Sequence, residues 1–137
     1  MQKDLQQKYV ELQMLNQQIK QVHEQFMFLQ QQLNELTNLE LSVNNMKDSK
    51  KDAEMFSSLG PGIFLSSKLS NSTSVIVNIG AGILVEKSLP DALALIKSQT
   101  KNVQESLEAI KEQLNTAVNY SQKLESEMNE LAKKEDK

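Results

Sequence analysis

A chain of 137 residues with a net charge of −3 has room for one modest domain, and its four Phe, two Tyr and absent Trp argue against a large globular core. Every basic residue is lysine, so the arginine forks and basic patches of nucleic-acid binders are missing. The lack of cysteine excludes disulfides and thiolate metal sites. No stretch reaches the roughly 18 apolar residues of a membrane span, and no apolar block follows the N-terminus as in a signal peptide. The expectation is a soluble, cytoplasmic protein with neither a nucleic-acid nor a membrane partner.

From Leu5 to Val43, apolar residues recur at alternating steps of three and four: Leu5, Leu12, Leu15, Ile19, Val22, Phe26, Leu29, Leu33, Leu36 and Val43. Only Lys8 and Glu40 break the series, and no Gly or Pro interrupts it. A period of 3.5 keeps one stripe against a partner helix, which predicts a coiled-coil helix over 5–46. His23 flanks the stripe without a second His or any Cys, and reads as a solvated side chain rather than a metal ligand.

Between the polar stretch Asn44–Asp52 and Ser88, a short unit occurs twice. Leu59-Gly60-Pro61-Gly62-Ile63-Phe64-Leu65 returns as Ile79-Gly80-Ala81-Gly82-Ile83-Leu84-Val85. Glycines permit the positive φ of a tight reversal, and Pro61 pre-sets φ for one. The reading is two β-hairpins over 54–87, with strands near Glu54–Leu59, Ile63–Leu69, Ser74–Ile79 and Ile83–Lys87 and a turn at Ser70-Asn71-Ser72. One alternating face carries Met55, Leu59, Ile63, Leu65, Leu69, Val75, Val77, Ile79, Ile83 and Val85, interrupted by Ser57 and Ser67. Gly80-Ala81-Gly82 lacks the third Gly, the Lys-Ser/Thr and the following helix of a phosphate loop.

Ser88-Leu89-Pro90-Asp91 opens the second helix: a hydroxyl to cap it, proline in its first turn and an acid at the positive end of its dipole. The stripe resumes from Leu89 to Leu131 with Thr100 and Ser121 as its polar members, predicting a helix over 89–133. Glu105, Glu108 and Glu112, beside Lys101 and Lys111, are a solvated face. Leu5–Val43 and Leu93–Leu131 are equal stretches of about 58 Å of helix. An antiparallel fold-back pairs Leu5 with Leu131, Leu12 with Leu124, Phe26 with Ile110 and Val43 with Leu93. In that register each polar seam residue faces an apolar one: Lys8 meets Met128, Leu15 meets Ser121, Leu36 meets Thr100 and Glu40 meets Ile96. The fold class is therefore mainly α with a small β insert, a two-helix antiparallel coiled coil joined by two β-hairpins in a single domain, 1–137.

Two needs remain unmet in such a fold. A four-stranded patch has unpaired edges and an apolar face that two helices cannot cover, which predicts oligomerisation through Leu59, Ile63, Leu65, Val75, Val77, Ile79, Ile83 and Val85. At the far end the last seam layers have no neighbour, and Tyr9, Val10, Met14, Val118 and Tyr120 widen the apolar surface beyond the seam. That end suits other apolar chains, with Leu5, Tyr9, Val10, Leu12, Met14, Leu15, Leu124, Met128 and Leu131 as the candidate contact residues. Ordinary surface scatter, or a second coiled-coil contact, is the alternative reading of the same residues. No nucleophile–base pair, metal set or nucleotide loop stands out, so neither an enzyme nor a cofactor is expected.

Val77-Asn78-Ile79-Gly80-Ala81-Gly82-Ile83-Leu84-Val85-Glu86-Lys87, followed by Asp91-Ala92 and Lys97, resembles the α-class subunits of prefoldin. The similarity extends over about Leu5 to Leu131 and departs at Phe56-Ser57-Ser58-Leu59, where the family often has an apolar-Val-Pro run. The short ends look archaeal. The resemblance implies a hexamer of two α-class and four β-class subunits whose hairpins build a β-barrel body. It further implies an ATP-independent holdase that captures unfolded client proteins at its coiled-coil tips and passes them to a group II chaperonin. A structural coiled-coil adaptor for one folded partner is the competing reading.

Overall fold

The computed structural model describes residues 2–135, with side chains from 3 to 134. The element order is α1 (Gln2–Lys47), β1 (Glu54–Gly60), β2 (Ile63–Lys68), β3 (Ser74–Asn78), β4 (Leu84–Ser88) and α2 (Leu89–Glu135). The chain divides into two compact units: residues 34–101, with the strands and the adjoining helix segments, and a second unit in which residues 2–33 and 102–135 are helical.

In the first unit, Val43, Leu89 and Ile96 form a buried cluster on which Met46, Val75 and Leu93 pack. Val43 and Leu93 thus meet at the layer where the seam register joins them. Ser88 caps α2, its Oγ accepting from Asp91 N at 3.3 Å. Thr100, a polar seam residue, donates its hydroxyl to Ile96 O at 2.8 Å and so needs no partner across the seam.

The strands form two separate two-stranded antiparallel ribbons, β1–β2 and β3–β4, rather than the expected four-stranded patch. The connection between them turns on Asn71, as its sequence suggested. Asn71 Oδ1 accepts from Thr73 N at 2.9 Å and Thr73 Oγ1 at 2.8 Å, while Nδ2 donates to Ser74 Oγ at 2.8 Å. In the first ribbon the register shifts between Ser58 and Gly60, Gly60 pairs with Ile63, and Pro61-Gly62 makes the reversal with φ +76° at Gly62. The bulge lets Leu59 depart from strict alternation. Ser57 and Ser67, which interrupt the apolar face, satisfy each other through a 2.8 Å contact between hydroxyls.

The second reversal differs from the first. Ile83 N donates to Gly80 O at 3.0 Å, closing a turn whose two central residues, Ala81 and Gly82, have φ of +53° and +75°. Positive φ at both positions is the primed turn that matches hairpin twist. An L-residue is strained there, so Ala81, not only the glycines beside it, holds left-handed backbone.

In the second unit Leu107, Ser121 and Leu124 are buried, and polar side chains join the helices in an antiparallel register. Lys8 reaches Glu127, and Ser121 reaches Asn16 at 3.3 Å, each one residue from the seam pairs Lys8–Met128 and Leu15–Ser121. The register follows the sequence pattern, but the polar seam residues do not face apolar ones alone. Lys8 and Ser121 each find a polar partner from a flanking position.

Candidate interaction surfaces

The hairpins present apolar side chains on both faces. Of the assembly residues read from sequence, Leu59, Ile63, Leu65, Ile79 and Ile83 are exposed. Val75, Val77 and Val85 are half-buried, and Val75 is covered within the chain by the Val43–Leu89–Ile96 cluster. The outward face carries side chains that the alternation left out: Phe56 (73% exposed), Ile76 (70%), Leu84 (65%) and Phe64. Across the ladder they stand opposite small or polar residues, Phe56 with Ser66, Ser58 with Phe64, Ile76 with Glu86 and Asn78 with Leu84. The missed signal lies in the unbroken triplets Ile63-Phe64-Leu65, Val75-Ile76-Val77 and Ile83-Leu84-Val85. Strands apolar at every position are strands to be covered on both sides. Each ribbon also has two unpaired edges, whose N–H and C=O groups can extend a ladder.

The tip candidates divide into two groups. Tyr9, Val10 and Met14 are exposed on α1, with Val10 and Met14 beside Lys3, Gln6, Gln7 and Glu11 in a shallow groove. Leu5, Leu12, Leu15, Met128 and Leu131 are half-buried. Leu124, opposite Leu12 in the seam register, is 2% exposed and is covered within the chain in this state. Met27 and Phe28, also exposed on α1, escaped the sequence reading because they lie off the seam; Phe28 lines a groove with Gln21, Glu24, Gln25, Leu29 and Ile110.

Electrostatics concentrate near the tip. Lys8 Nζ donates to Glu127 Oε2 at 2.5 Å, and Tyr120 Oη donates to Glu11 Oε1 at 2.5 Å. The Lys8 hydrogen bond and charge hold the Glu127 carboxyl below its ordinary value, and the same bond raises Lys8. The carboxylate of Glu11, accepting from the phenol, raises Tyr120. Among the described residues no three His, Cys, Asp or Glu side chains gather as a metal would need, and no helix is long and apolar enough to cross a membrane.

Two long helices joined by two small hairpins, with the apolar strand surface left open, is a subunit's geometry, and residues 1–134 match the family model "Prefoldin subunit". The chain belongs to the prefoldin family. Among curated relatives, a prefoldin subunit alpha of Archaeoglobus fulgidus is 25% identical over 133 residues, covering 97% of each chain. One from Methanococcus maripaludis is 27% identical over 118 residues, covering 86% of this chain and 77% of the relative. Filamentous prefoldin from Methanocaldococcus jannaschii, solved by cryo-electron microscopy, shares the fold with a TM-score of 0.51 at 16% identity; 93% of this chain and 99% of that one are covered. Prefoldins are chaperones whose α subunits assemble with other prefoldin subunits.

Proposed function

We propose that this prefoldin subunit is an ATP-independent holdase that captures unfolded proteins at the distal end of its helix pair and delivers them to a group II chaperonin. The observation that carries the reading is the exposure of Tyr9, Val10 and Met14 together in the first turns of α1. Such side chains, set among Gln and Lys, offer apolar contact without a fixed shape, which suits clients that differ in sequence. The 54–87 insert serves assembly, through Leu59, Ile63, Leu65, Ile79 and Ile83 together with Phe56, Phe64, Ile76 and Leu84. Its partners are smaller β-class subunits in an α2β4 hexamer, and the compartment is the cytoplasm. No step calls for a nucleotide.

The test is suppression of light scattering by an aggregating client, using this chain assembled with a β-class partner. A chain cut to residues 16–120, or one with Leu5, Tyr9 and Met128 changed to Ser, should assemble normally and fail to protect the client. Protection equal to the full-length chain would place capture elsewhere. A single tight, stoichiometric, folded partner would favour the adaptor reading instead.

A further inference from the structure

The polar contacts near the tip do more than fill gaps in the seam. Tyr120 and Glu127 lie two helical turns apart on α2, and Lys8 and Glu11 lie three residues apart on α1, so each pair shares one helix flank. Lys8 bonds Glu127 and Tyr120 bonds Glu11 across the two helices, and Lys8 lies within electrostatic reach of Glu11, which makes the four side chains one network. Ser121, reaching Asn16 at 3.3 Å, adds a further cross-helix bond three residues before Leu124. Leu124, the most buried of the core side chains at 2% exposure, therefore lies between Ser121 and Glu127, both tied across the seam.

An apolar seam has no layer at which opening must stop, and sliding by one heptad leaves most of its contacts intact. A polar residue at a seam position breaks that degeneracy, because its partner is found in one register only. Lys8 and Glu127 keep 30% and 37% of their side-chain surface in solvent, so the pair is a tunable tie and not a buried lock.

We propose that the Lys8–Glu127 and Tyr120–Glu11 pairs form a latch that holds the helix ends in register and sets how far the tip opens. Lys8 and Tyr120 are then positioning residues for client capture, and this step rests on the tip-capture reading above. With the latch closed, Leu12 and Leu124 stay in the seam, and the tip offers Tyr9, Val10, Met14 and the layers outboard of Lys8. With it open, Leu12 and Leu124 join the apolar surface. Salt weakens a partly solvated pair, so ionic strength tunes the area on offer.

The experiment is hydrogen exchange by mass spectrometry on the full-length chain in its assembled state, following residues 8–16 and 119–128. Lys8→Gln/Tyr120→Phe and Lys8→Glu should exchange a few-fold faster in both segments, with assembly size unaltered. Raising salt from about 0.05 M to about 0.5 M should speed the wild type and leave Lys8→Gln/Tyr120→Phe unaffected. The charge swap Lys8→Glu/Glu127→Lys should restore most of the protection, which a loss of packing alone would not allow. Client capture by light scattering should rise in Lys8→Gln/Tyr120→Phe. Equal exchange in wild type and variants, or a swap that fails to rescue Lys8→Glu, overturns the latch. Faster exchange with unaltered capture overturns the positioning role. If the Leu5, Tyr9 and Met128 to Ser variant also protects clients fully, the fault lies in the tip reading itself.

Discussion

Replacing Ile76 or Leu84 by lysine separates assembly from folding more cleanly than any change on the inward face of the hairpins. Ile76 is 70% exposed in the single chain and pairs across the ladder with Glu86, while Val75, next to it, packs on the buried cluster. A lysine at 76 therefore has solvent to reach and little to disturb in the monomer. Covering a whole Ile or Leu side chain is worth about 1.5–3 kcal/mol, so the exposed part of Ile76 represents about 1–2 kcal/mol per copy in an interface. Ile76→Ala should weaken assembly by roughly ten-fold or more, since about 1.4 kcal/mol is one decade. Ile76→Lys should abolish it, because burying its charge in a closed interface costs several kcal/mol that Glu86 opposite offsets only in part. Analytical ultracentrifugation reads the assembly and far-ultraviolet circular dichroism the helices. The expected result is a dissociated, fully helical chain for Ile76→Lys and Leu84→Lys. Val77→Lys, on the half-buried face, should also lower the melting temperature. An intact oligomer with Ile76→Lys would refute the outward face as an interface.

Ala81 at φ +53° carries about 1–2 kcal/mol of left-handed strain, so Ala81→Asn, which suits that region, should raise the melting temperature by a few degrees, and Ala81→Val should lower it. Ser88→Ala removes the hydroxyl that accepts from Asp91 N and should cost about 1 kcal/mol in thermal or urea unfolding. The latch should be insensitive to pH through the neutral range. Glu127 is held below its ordinary value of 4.5, so its contribution is present above that value and is lost as pH falls through the lowered one. Lys8 and Tyr120 are raised above 10.5 and 10.0, so theirs is present below those values and is lost as pH rises through the raised ones. Native-state proteolysis at the tip should therefore accelerate in acid and in strong base but not between about pH 5.5 and 9.5; a transition near neutrality would contradict the assignment.

The helices were legible because a seam is a one-dimensional pattern. Leu12, Phe26 and Leu107 repeat at the spacing that a partner helix demands, and their register follows from the equal lengths of the two stretches. Lys8 was legible only as a defect. Its partner, Glu127, lies off the stripe, so the seam template had no place for the pair. In the hairpins the turn residues stood out, but Phe56, Ile76 and Leu84 did not. Assigning one face to a core presumes that the other meets water, whereas a ribbon built for assembly is apolar on both. Ala81 shows the same limit on a smaller scale: alanine carries no turn signal, and its positive φ belongs to the primed turn that the bond from Ile83 to Gly80 closes.

The two apolar surfaces differ in a way that suits different lifetimes of contact. On the ribbons, Leu59, Ile63, Phe64, Leu65, Ile76, Ile79, Ile83 and Leu84 lie within or directly beside strands whose backbone is already ordered. Their side chains are restricted and their neighbours fixed, so covering them costs little further conformational entropy, and the free strand edges add directional hydrogen bonds. That combination selects one complementary surface and holds it. On α1 near the tip, Tyr9 and Val10 are followed by Glu11, Leu12 and Gln13 before Met14, and helix backbone has no bonding groups to share with a client. Each contact there is non-directional, and methionine adapts to whatever shape it meets. A client gains a few side chains' worth of apolar burial and must give up chain entropy to do so, which leaves binding weak and readily reversed. On the proposed reading, a holdase that releases clients without a nucleotide cycle needs weak capture and firm assembly, and the proposed latch at Lys8 adjusts the weak contact alone.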